Sequence, residues 1–174
     1  MSITEKYTAA QNAKDLRIDV NAEKPVDVLI AAGLAPGILG HALMRLHGEW
    51  DAAAKPRNIT QTDATLLYGR LKSLPRVLGI ISEYLTTRGE DKPLVGAKAL
   101  VMYWLDDRCQ PCGGKGAPVM PGAPVLGRRC KVCGGGGKRK SPVGELGKQT
   151  LNMMDKAVED ARRSIRKRLH NTYT

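Results

Sequence analysis

Apolar residues recur at helical spacing along most of the chain. One run comprises Leu39, Leu43, Leu46 and Trp50, spaced by four, three and four residues. A longer run comprises Leu66, Leu67, Leu71, Leu74, Leu78, Ile81 and Leu85. Such spacing places the apolar side chains on one face of an amphipathic helix. Pro75 interrupts the longer run, so the pattern predicts a kink, or two helices that meet near Ser73–Pro75.

Two more helices are predicted on either side of a segment that has no helical period. Pro93 suits the first turn of a helix that would run to about Asp107. Its expected core residues are Leu100, Tyr103 and Trp104. The last helix covers residues 145–170, and its apolar stripe is formed by Leu151, Met154, Val158, Ala161, Ile165 and Leu169. The intervening segment, Cys109–Lys140, holds nine of the nineteen glycines and four prolines, which favour turns.

That segment also contains all four cysteines. Cys109, Cys112, Cys130 and Cys133 are arranged as Cys-x2-Cys, seventeen residues, then Cys-x2-Cys. Two thiolate pairs at this spacing can converge on one tetrahedral Zn2+, with bonds of about 2.3 Å. The glycines that follow each pair supply the positive φ angles of a tight turn. Because four sulfurs close the coordination shell, we predict one structural zinc ion. Beyond these two pairs we find no repeats.

Two disulfides or four free thiols are the alternatives to the zinc site. The N-terminus, MSITEKYTAAQNAKD, lacks the apolar stretch of a secretory signal, so the context for disulfides is not favoured. No apolar run approaches the roughly 20 residues of a membrane span. We therefore expect a soluble, cytoplasmic protein with no membrane partner.

Together these elements predict a mainly α fold. We expect a helical bundle, an inserted glycine-rich zinc loop with four cysteine ligands and a basic C-terminal helix; the middle of the loop, APVMPGAPVLGRR, could form a short β-ribbon. The predicted parts are a poorly ordered or extended arm at 1–25, which could include a short helix around Tyr7–Asp15, a helical domain at 26–107, the zinc loop at 108–141 and the C-terminal helix at 142–174, packed on the helical domain. Val26–Leu34 is predicted to be either a helix or a buried strand.

Positive charge is confined to one part of the chain. The 174 residues carry a formal net charge of +11 at pH 7. Residues 1–107 contain 13 Lys or Arg and 13 Asp or Glu, whereas residues 108–174 contain 15 and 4. The whole excess lies in the cysteine region and the helix after it, which is typical of a surface that binds a polyanion. A basic surface kept for solubility is the alternative.

Two basic clusters are the candidate nucleic-acid contacts. The first brackets the second cysteine pair and comprises Arg128, Arg129, Lys131, Lys138, Arg139 and Lys140. The second lies in the last helix, off its apolar stripe, and comprises Arg162, Arg163, Arg166, Lys167 and Arg168. Cations on a rigid turn can neutralise several phosphates, and a basic helix can lie on duplex DNA. The alternatives are a flexible basic loop and a solvated helix face stabilised by the pair Glu159–Arg163.

No catalytic constellation is present in the sequence. His41 and His47 lie six residues apart and do not share a helix face. Walker and HExxH motifs are absent, as is a GxGxxG motif after a strand. Asp106 and Asp107 are predicted to close the helix or to pair with Arg108. We therefore expect a protein that is not an enzyme.

The paired motifs resemble two known kinds of zinc module. CQPCGGKG followed by RRCKVCGGGG is similar to the CxxCxGxG modules of DnaJ-type chaperones and of the Q antitermination proteins of lambda-like phages. The chaperones carry four such repeats and a His-Pro-Asp motif, whereas this chain has two repeats and no His-Pro-Asp. The order of a helix, a glycine-rich cysteine loop and a basic helical tail resembles the phage Q family, and residues 93–140 carry this resemblance.

The resemblance implies a DNA-binding transcription antitermination factor. Such bacteriophage proteins bind double-stranded DNA near a late promoter, engage the bacterial RNA polymerase paused just downstream, and make it read through pauses and terminators. By that resemblance, the zinc would be held by the four cysteines and the neutral helical half would contact polymerase in the host cytoplasm. A zinc-stapled interaction or chaperone-like adaptor is one alternative. A nonspecific RNA- or single-strand-binding module is another, although the aromatic content of 4% argues against base stacking.

Overall fold

A computed structural model describes residues 3–12, 37–53, 67–117 and 129–172. The helices are α1 (Ile3–Asn12), α2 (Ile38–Ala52), α3 (Leu74–Thr87), α4 (Pro93–Leu105) and α5 (Gly144–Thr172), with a 3-10 turn at Gln110–Cys112 and a helical stretch at residues 67–70. No strand forms among the described residues, so the mainly helical prediction is confirmed for them. Val26–Leu34 and most of the predicted β-ribbon lie outside the described residues.

The chain divides into two compact units, whereas the sequence suggested four consecutive parts. The first unit comprises residues 1–80 and 152–174, and the second comprises residues 81–151. Both boundaries fall inside helices, α3 and α5. The cysteines lie in the second unit and the basic stretch of α5 lies in the first.

The first unit has an almost entirely aliphatic core, as expected for a chain without Phe. Its buried side chains come from α1, α2, the start of α3 and the second half of α5, and include Leu43, Met44, Leu46, Trp50, Val77, Met154 and Ile165. Helix α1 packs against α2 and buries Tyr7 and Ala10. The short helix predicted around Tyr7–Asp15 is thus present, but it begins at Ile3 and ends at Asn12.

A small-residue contact brings α2 against α5 within the first unit. A Cβ atom on Gly40 would overlap the carbonyl oxygen of Ala157 and would lie 2.8 Å from the Cβ of Ala161. The two backbones can therefore approach this closely only because position 40 has no side chain. The helix predicted from the Leu39–Trp50 stripe is confirmed as α2.

The junction predicted near Ser73–Pro75 is confirmed. The helical stretch at 67–70 ends, and α3 begins at Leu74 with Pro75 in its first turn. Glu49 of α2 accepts hydrogen bonds from the Ser73 N–H at 2.9 Å and the Ser73 hydroxyl at 2.8 Å, which satisfies the start of α3. In α3, Val77 is buried, whereas Leu78, which the stripe predicted to be buried, is half-buried.

In the second unit, α4 supplies a buried row formed by Ala97, Leu100, Val101 and Leu105. Leu100 faces the core as predicted, whereas Tyr103 and Trp104 are only half-buried. Helix α5 confirms its predicted stripe, of which Leu151 alone is half-buried. Its start follows a left-handed Val143, at φ 61°, whose side chain packs near Gly96 of α4.

Candidate metal centre

The end of α4 brings the first cysteine pair into position. Asp106 ends the helix in an extended conformation, and its N–H donates to the Met102 carbonyl at 3.2 Å. The Arg139 guanidinium donates to the Met102 carbonyl at 3.3 Å and also to the Asp106 carbonyl. A cation at the carboxyl end of a helix is favoured by the helix dipole. The chain that leaves the second cysteine pair is thereby tied to the helix that leads into the first.

Tyr103 reinforces this connection. Its hydroxyl donates to the Arg139 carbonyl at 3.3 Å, and its ring lies 5.9 Å from the centre of the guanidinium. The phenol therefore needs a position at the edge of the core, where it can reach a polar partner. This explains why Tyr103 is half-buried, whereas the sequence had predicted that it faces the core.

The four cysteine sulfurs converge, as predicted. Cys109 Sγ lies 3.9 Å from Cys130 Sγ, Cys112 Sγ lies 3.8 Å from Cys133 Sγ, and all four lie within 4.8 Å of one another. Ligands about 2.3 Å from a tetrahedral ion are about 3.8 Å apart, so the cluster could hold one metal ion. Disulfide sulfurs are about 2.05 Å apart, so the two-disulfide alternative does not describe this arrangement.

The cysteine pairs belong to an internal repeat that is longer than the sequence analysis found. Residues 108–116 and 129–137 share the pattern RCxxCGGxG at an offset of 21 positions. We call them the first knuckle and the second knuckle. Six glycines adopt φ angles between 56° and 98°: Gly113, Gly114 and Gly116 in the first knuckle and Gly134, Gly135 and Gly137 in the second. These angles confirm that the glycines serve the tight turns.

Equivalent hydrogen bonds join the two knuckles in both directions. The Cys109 N–H donates to the Gly137 carbonyl at 2.8 Å, and the Cys130 N–H donates to the Gly116 carbonyl at 2.7 Å. Each knuckle thus gives one bond and receives one, as expected of an approximate two-fold relation. The sulfur distances fit the same relation, because the first cysteines of the two pairs lie 3.9 Å apart and the second cysteines lie 3.8 Å apart.

The last glycine of each knuckle lies where the two backbones meet. A Cβ on Gly116 would overlap the Gly135 carbonyl oxygen, and a Cβ on Gly137 would overlap the Gly114 carbonyl oxygen. These two contacts are again equivalent at an offset of 21. A side chain here would collide with backbone, which cannot give way unless the knuckles separate. The close approach is therefore a second reason for glycine, in addition to the turn.

Two aspartates before the first knuckle each pair with a cation. Asp106 accepts from Arg108 Nε at 2.8 Å and Nη2 at 3.2 Å, which confirms the predicted pair. Asp107 pairs with Lys138 Nζ at 2.6 Å. Burial alone would raise the pKa of Asp106, but the hydrogen bonds and charge of Arg108 hold this pKa below its ordinary value. The hydrogen bond to Asp107 raises the pKa of Lys138.

The Cys109 thiol holds its proton more strongly than an exposed cysteine does. Burial, together with hydrogen bonds among the thiols, raises the pKa of Cys109 to about 12. Without a metal, this pKa favours the neutral thiol. A metal binds the thiolate, and the positive charge of a bound cation favours loss of the proton. The Gly137 N–H donates to Cys133 Sγ at 3.3 Å, so a backbone group of the second knuckle also contacts the sulfur cluster.

The predicted basic residues of the cysteine region fall into three groups. Arg129, Lys131 and Lys140 are exposed; Arg129 and Lys131 belong to the second knuckle and Lys140 follows it. Lys138 is exposed but is paired with Asp107, and Arg139 is half-buried and caps α4. Arg128 lies outside the described residues. Arg139 therefore has a structural role at the end of α4, which the sequence did not predict.

The basic residues of α5 surround its buried stripe, as the spacing predicted. Arg163, Arg166, Lys167 and Arg168 are exposed, and Arg162 is half-buried. Glu159 lies 3.8 Å from Arg162, three residues on, whereas the sequence suggested Arg163 as its partner. This cluster belongs to the first unit and the knuckles to the second.

Comparison with known proteins adds no family assignment. No protein-family model matches the chain, and no curated protein and no solved structure matches it. The resemblance to phage Q proteins therefore depends on the motifs of residues 93–140. None of the described helices combines the length and the apolar character needed to cross a membrane.

Sequence reasoning missed three features of this centre. These are the extent of the repeat, the pairing of Asp107 with Lys138, and the cap that Arg139 provides. The repeat had a visible signal, because Arg108 and Arg129 precede equivalent cysteines and the glycines recur at an offset of 21. The other two features join residues more than thirty positions apart, so no local sequence pattern predicts them.

Proposed function

We propose that this chain holds one structural Zn2+ and binds double-stranded DNA through the basic side of its second knuckle. The observation that carries the proposal is the presence of exposed cations, Arg129, Lys131 and Lys140, on or beside a turn built around four sulfurs. The turn holds the backbone positions of these cations close together, so they can meet several phosphates of a polyanionic partner at once.

Zinc is the metal that best suits the donor set. Four thiolates in tetrahedral spacing favour Zn2+ or a single iron ion. Zinc has no redox chemistry, and a closed shell of four sulfurs leaves no position for a substrate, so its contribution would be to the fold. Elemental analysis of protein purified without added metal should find one zinc per chain. One iron per chain would replace the zinc assignment and leave the site itself intact.

Contacts to phosphates would make the binding sensitive to salt. Each neutralised phosphate releases condensed counterions, so the logarithm of the affinity should fall linearly with that of the salt concentration. Anisotropy titrations of a labelled duplex between about 50 and 200 mM salt would measure this slope. Lys131→Gln should weaken binding, whereas Lys72→Gln, an exposed change in the neutral half of the chain, should not. Affinity that does not depend on salt would exclude the proposal.

Transcription antitermination is the finer form of this proposal. It is supported by the order of a helix, a glycine-rich cysteine loop and a basic helix, which resembles the phage Q family. In this role the chain would bind near a late promoter and act on the paused bacterial RNA polymerase. Purified polymerase, transcribing a template with the promoter region that neighbours this gene and a terminator, should give more read-through product when the chain is added. If the duplex is bound but read-through does not rise, the finer proposal fails and DNA binding stands.

A protein-interaction adaptor is the second candidate, favoured by exposed apolar side chains. Leu94, Val95 and Val132 are 60%, 65% and 61% exposed, and Val132 lies in the second knuckle beside Lys131. Exposed aliphatic groups on a rigid turn suit a protein partner better than a phosphate backbone. Duplex binding that is unaffected by both salt and Lys131→Gln would favour this candidate over the first.

A further inference from the structure

Arg108 and Arg129 occupy equivalent positions of the two knuckles. A Cβ atom built on Gly114 would lie 3.4, 3.5 and 3.7 Å from Cγ, Cδ and Cβ of Arg108. A Cβ atom built on Gly135 would lie 3.2, 3.3 and 3.5 Å from the same three atoms of Arg129. Both arginine stems therefore cross the middle glycine of their own knuckle in the same way, and the repeat extends to side-chain conformation.

The partners of the two guanidinium groups are different. Arg108 grips both carboxylate oxygens of Asp106, through Nε at 2.8 Å and Nη2 at 3.2 Å. The residue that corresponds to Asp106 at an offset of 21 is Gly127, which has no side chain. Residues 118–128 contain no Asp or Glu, and among the described residues no carboxylate pairs with Arg129.

The second aspartate, Asp107, also has no acidic counterpart before the second knuckle. Asp107 neutralises Lys138, and the residue that corresponds to Asp107 is Arg128. Two carboxylates thus precede the first knuckle, whereas a glycine and an arginine precede the second. The repeat keeps the metal ligands and the turns, but the formal charge changes from zero at residues 106–116 to +3 at residues 127–137.

We propose that Arg129 is an anion-binding site. Its guanidinium would bind a phosphodiester of nucleic acid with the same bidentate geometry that Arg108 uses to bind Asp106. A guanidinium fork matches the oxygen pair of a phosphate as well as that of a carboxylate. The exposed Lys131, two positions on, adds positive charge and favours a polyanion over a single carboxylate. Lys138 and Arg139, whose charges are engaged within the unit, are not needed for this contact.

This inference rests on the proposed DNA binding, and two substitutions of equal charge test it. Arg129→Ala should weaken binding of a random duplex about tenfold at low salt and lower the salt slope by about one ion. Arg108→Ala removes the same charge at the equivalent position. Because the Arg108 guanidinium is already bound to Asp106, the salt slope of this variant should equal that of the natural chain. Arg129→Lys keeps the charge but not the fork, and should weaken binding as well. If Arg129→Ala loses its metal, Arg129→Lys serves as the test instead.

A second measurement separates this inference from the proposed function. In the metal-loaded chain, titration with inorganic phosphate should shift the Arg129 Nε–Hε resonance and leave that of Arg108 in place. If the duplex is bound but Arg129→Ala and Arg108→Ala have equal effects, the Arg129 site is wrong and DNA binding stands. If the duplex is not bound, the proposed function fails, and a shift with phosphate alone would still support the site. The absence of any shift, or an equal shift with acetate, would overturn it.

Discussion

The backbone N–H of Cys109 donates a hydrogen bond of 2.8 Å to the carbonyl oxygen of Gly137, 28 positions further along the chain. This bond places the first ligand of one knuckle against the last glycine of the other. Its equivalent, from Cys130 to Gly116, runs in the opposite direction at 2.7 Å. The sulfurs are therefore held together by backbone bonds as well as by any metal they bind.

Gly137→Ala should separate the knuckles. The new Cβ would overlap the Gly114 carbonyl and would also place a non-glycine residue at φ 72°, so we expect a loss on the order of 2 kcal/mol or more in the free energy of unfolding. Gly136→Ala is the matched control, because its Cβ would lie 3.5 Å from the nearest atom outside its immediate chain neighbours, the Cys133 oxygen. Urea unfolding should show the difference, and equal effects at the two positions would contradict the close approach.

The metal should reverse the way stability depends on pH. Without metal, the raised pKa of Cys109 favours the neutral buried thiol, so stability is fully present below about pH 9 and is lost as the pH rises toward about 12. With metal bound, the ligands are thiolates and protons compete with the ion, so stability falls as the pH is lowered. Chemical unfolding across this pH range, with and without a chelator, would test the opposite signs.

Cys130→Ser should abolish tight metal binding and loosen the second unit. A hydroxyl is a poor substitute for a thiolate as a ligand, and the three remaining sulfurs cannot close the shell. Metal content should fall from one ion per chain to near zero, and amide exchange of Cys109 and Gly137 should accelerate. Exchange of α2 amides in the first unit serves as the internal control. Retention of the metal would contradict the assignment of Cys130 as a ligand.

Arg139→Gln should destabilise the chain without changing the salt dependence of DNA binding. The substitution removes the charged donor to the Met102 and Asp106 carbonyls, worth about 1.5–3 kcal/mol for bonds to charged groups. The neighbouring Lys140→Gln, at an exposed position, should alter stability by less than about 0.5 kcal/mol. A lower salt slope in folded Arg139→Gln would instead indicate that this guanidinium reaches a phosphate.

Two glycine substitutions in helices should have opposite signs. Gly40→Ala would overlap the Ala157 carbonyl and should force α2 and α5 apart, at a cost on the order of 2 kcal/mol. Gly79→Ala meets nothing within 4 Å and should stabilise α3 by about 0.5–1 kcal/mol, because alanine is the better helix former. Thermal unfolding of the two variants checks the pair. Stabilisation by both would show that the α2–α5 contact is looser than described.

Periodicity predicted the helices well, because burial of one face imposes a spacing that the sequence must keep. The stripes of α2 and α5 are examples. Leu78 is half-buried and Val77 is buried in its place, although both lie three or four positions from Leu74 and from Ile81 and so fit the same face of α3. Spacing alone does not distinguish two neighbouring apolar positions.

The cysteine spacing predicted the four-sulfur cluster but not its internal arrangement. Spacing alone does not decide that the Cys109 N–H meets the Gly137 carbonyl and the Cys130 N–H meets the Gly116 carbonyl, because these bonds follow from the two-fold relation of the backbones. Nor does local sequence distinguish Arg129 from Arg139. Their separate environments depend on which of them lies over the carboxyl end of α4, and that is decided by the fold of the whole second unit.

The reciprocal bonds have a consequence for how closure of the centre can be followed. Each of the two donating N–H groups belongs to a cysteine of one knuckle, and each acceptor is the last glycine of the other. Hydrogen exchange at the Cys109 and Cys130 amides therefore reports the closed state from both sides. One exchange experiment would thus show whether the two halves open together or one at a time.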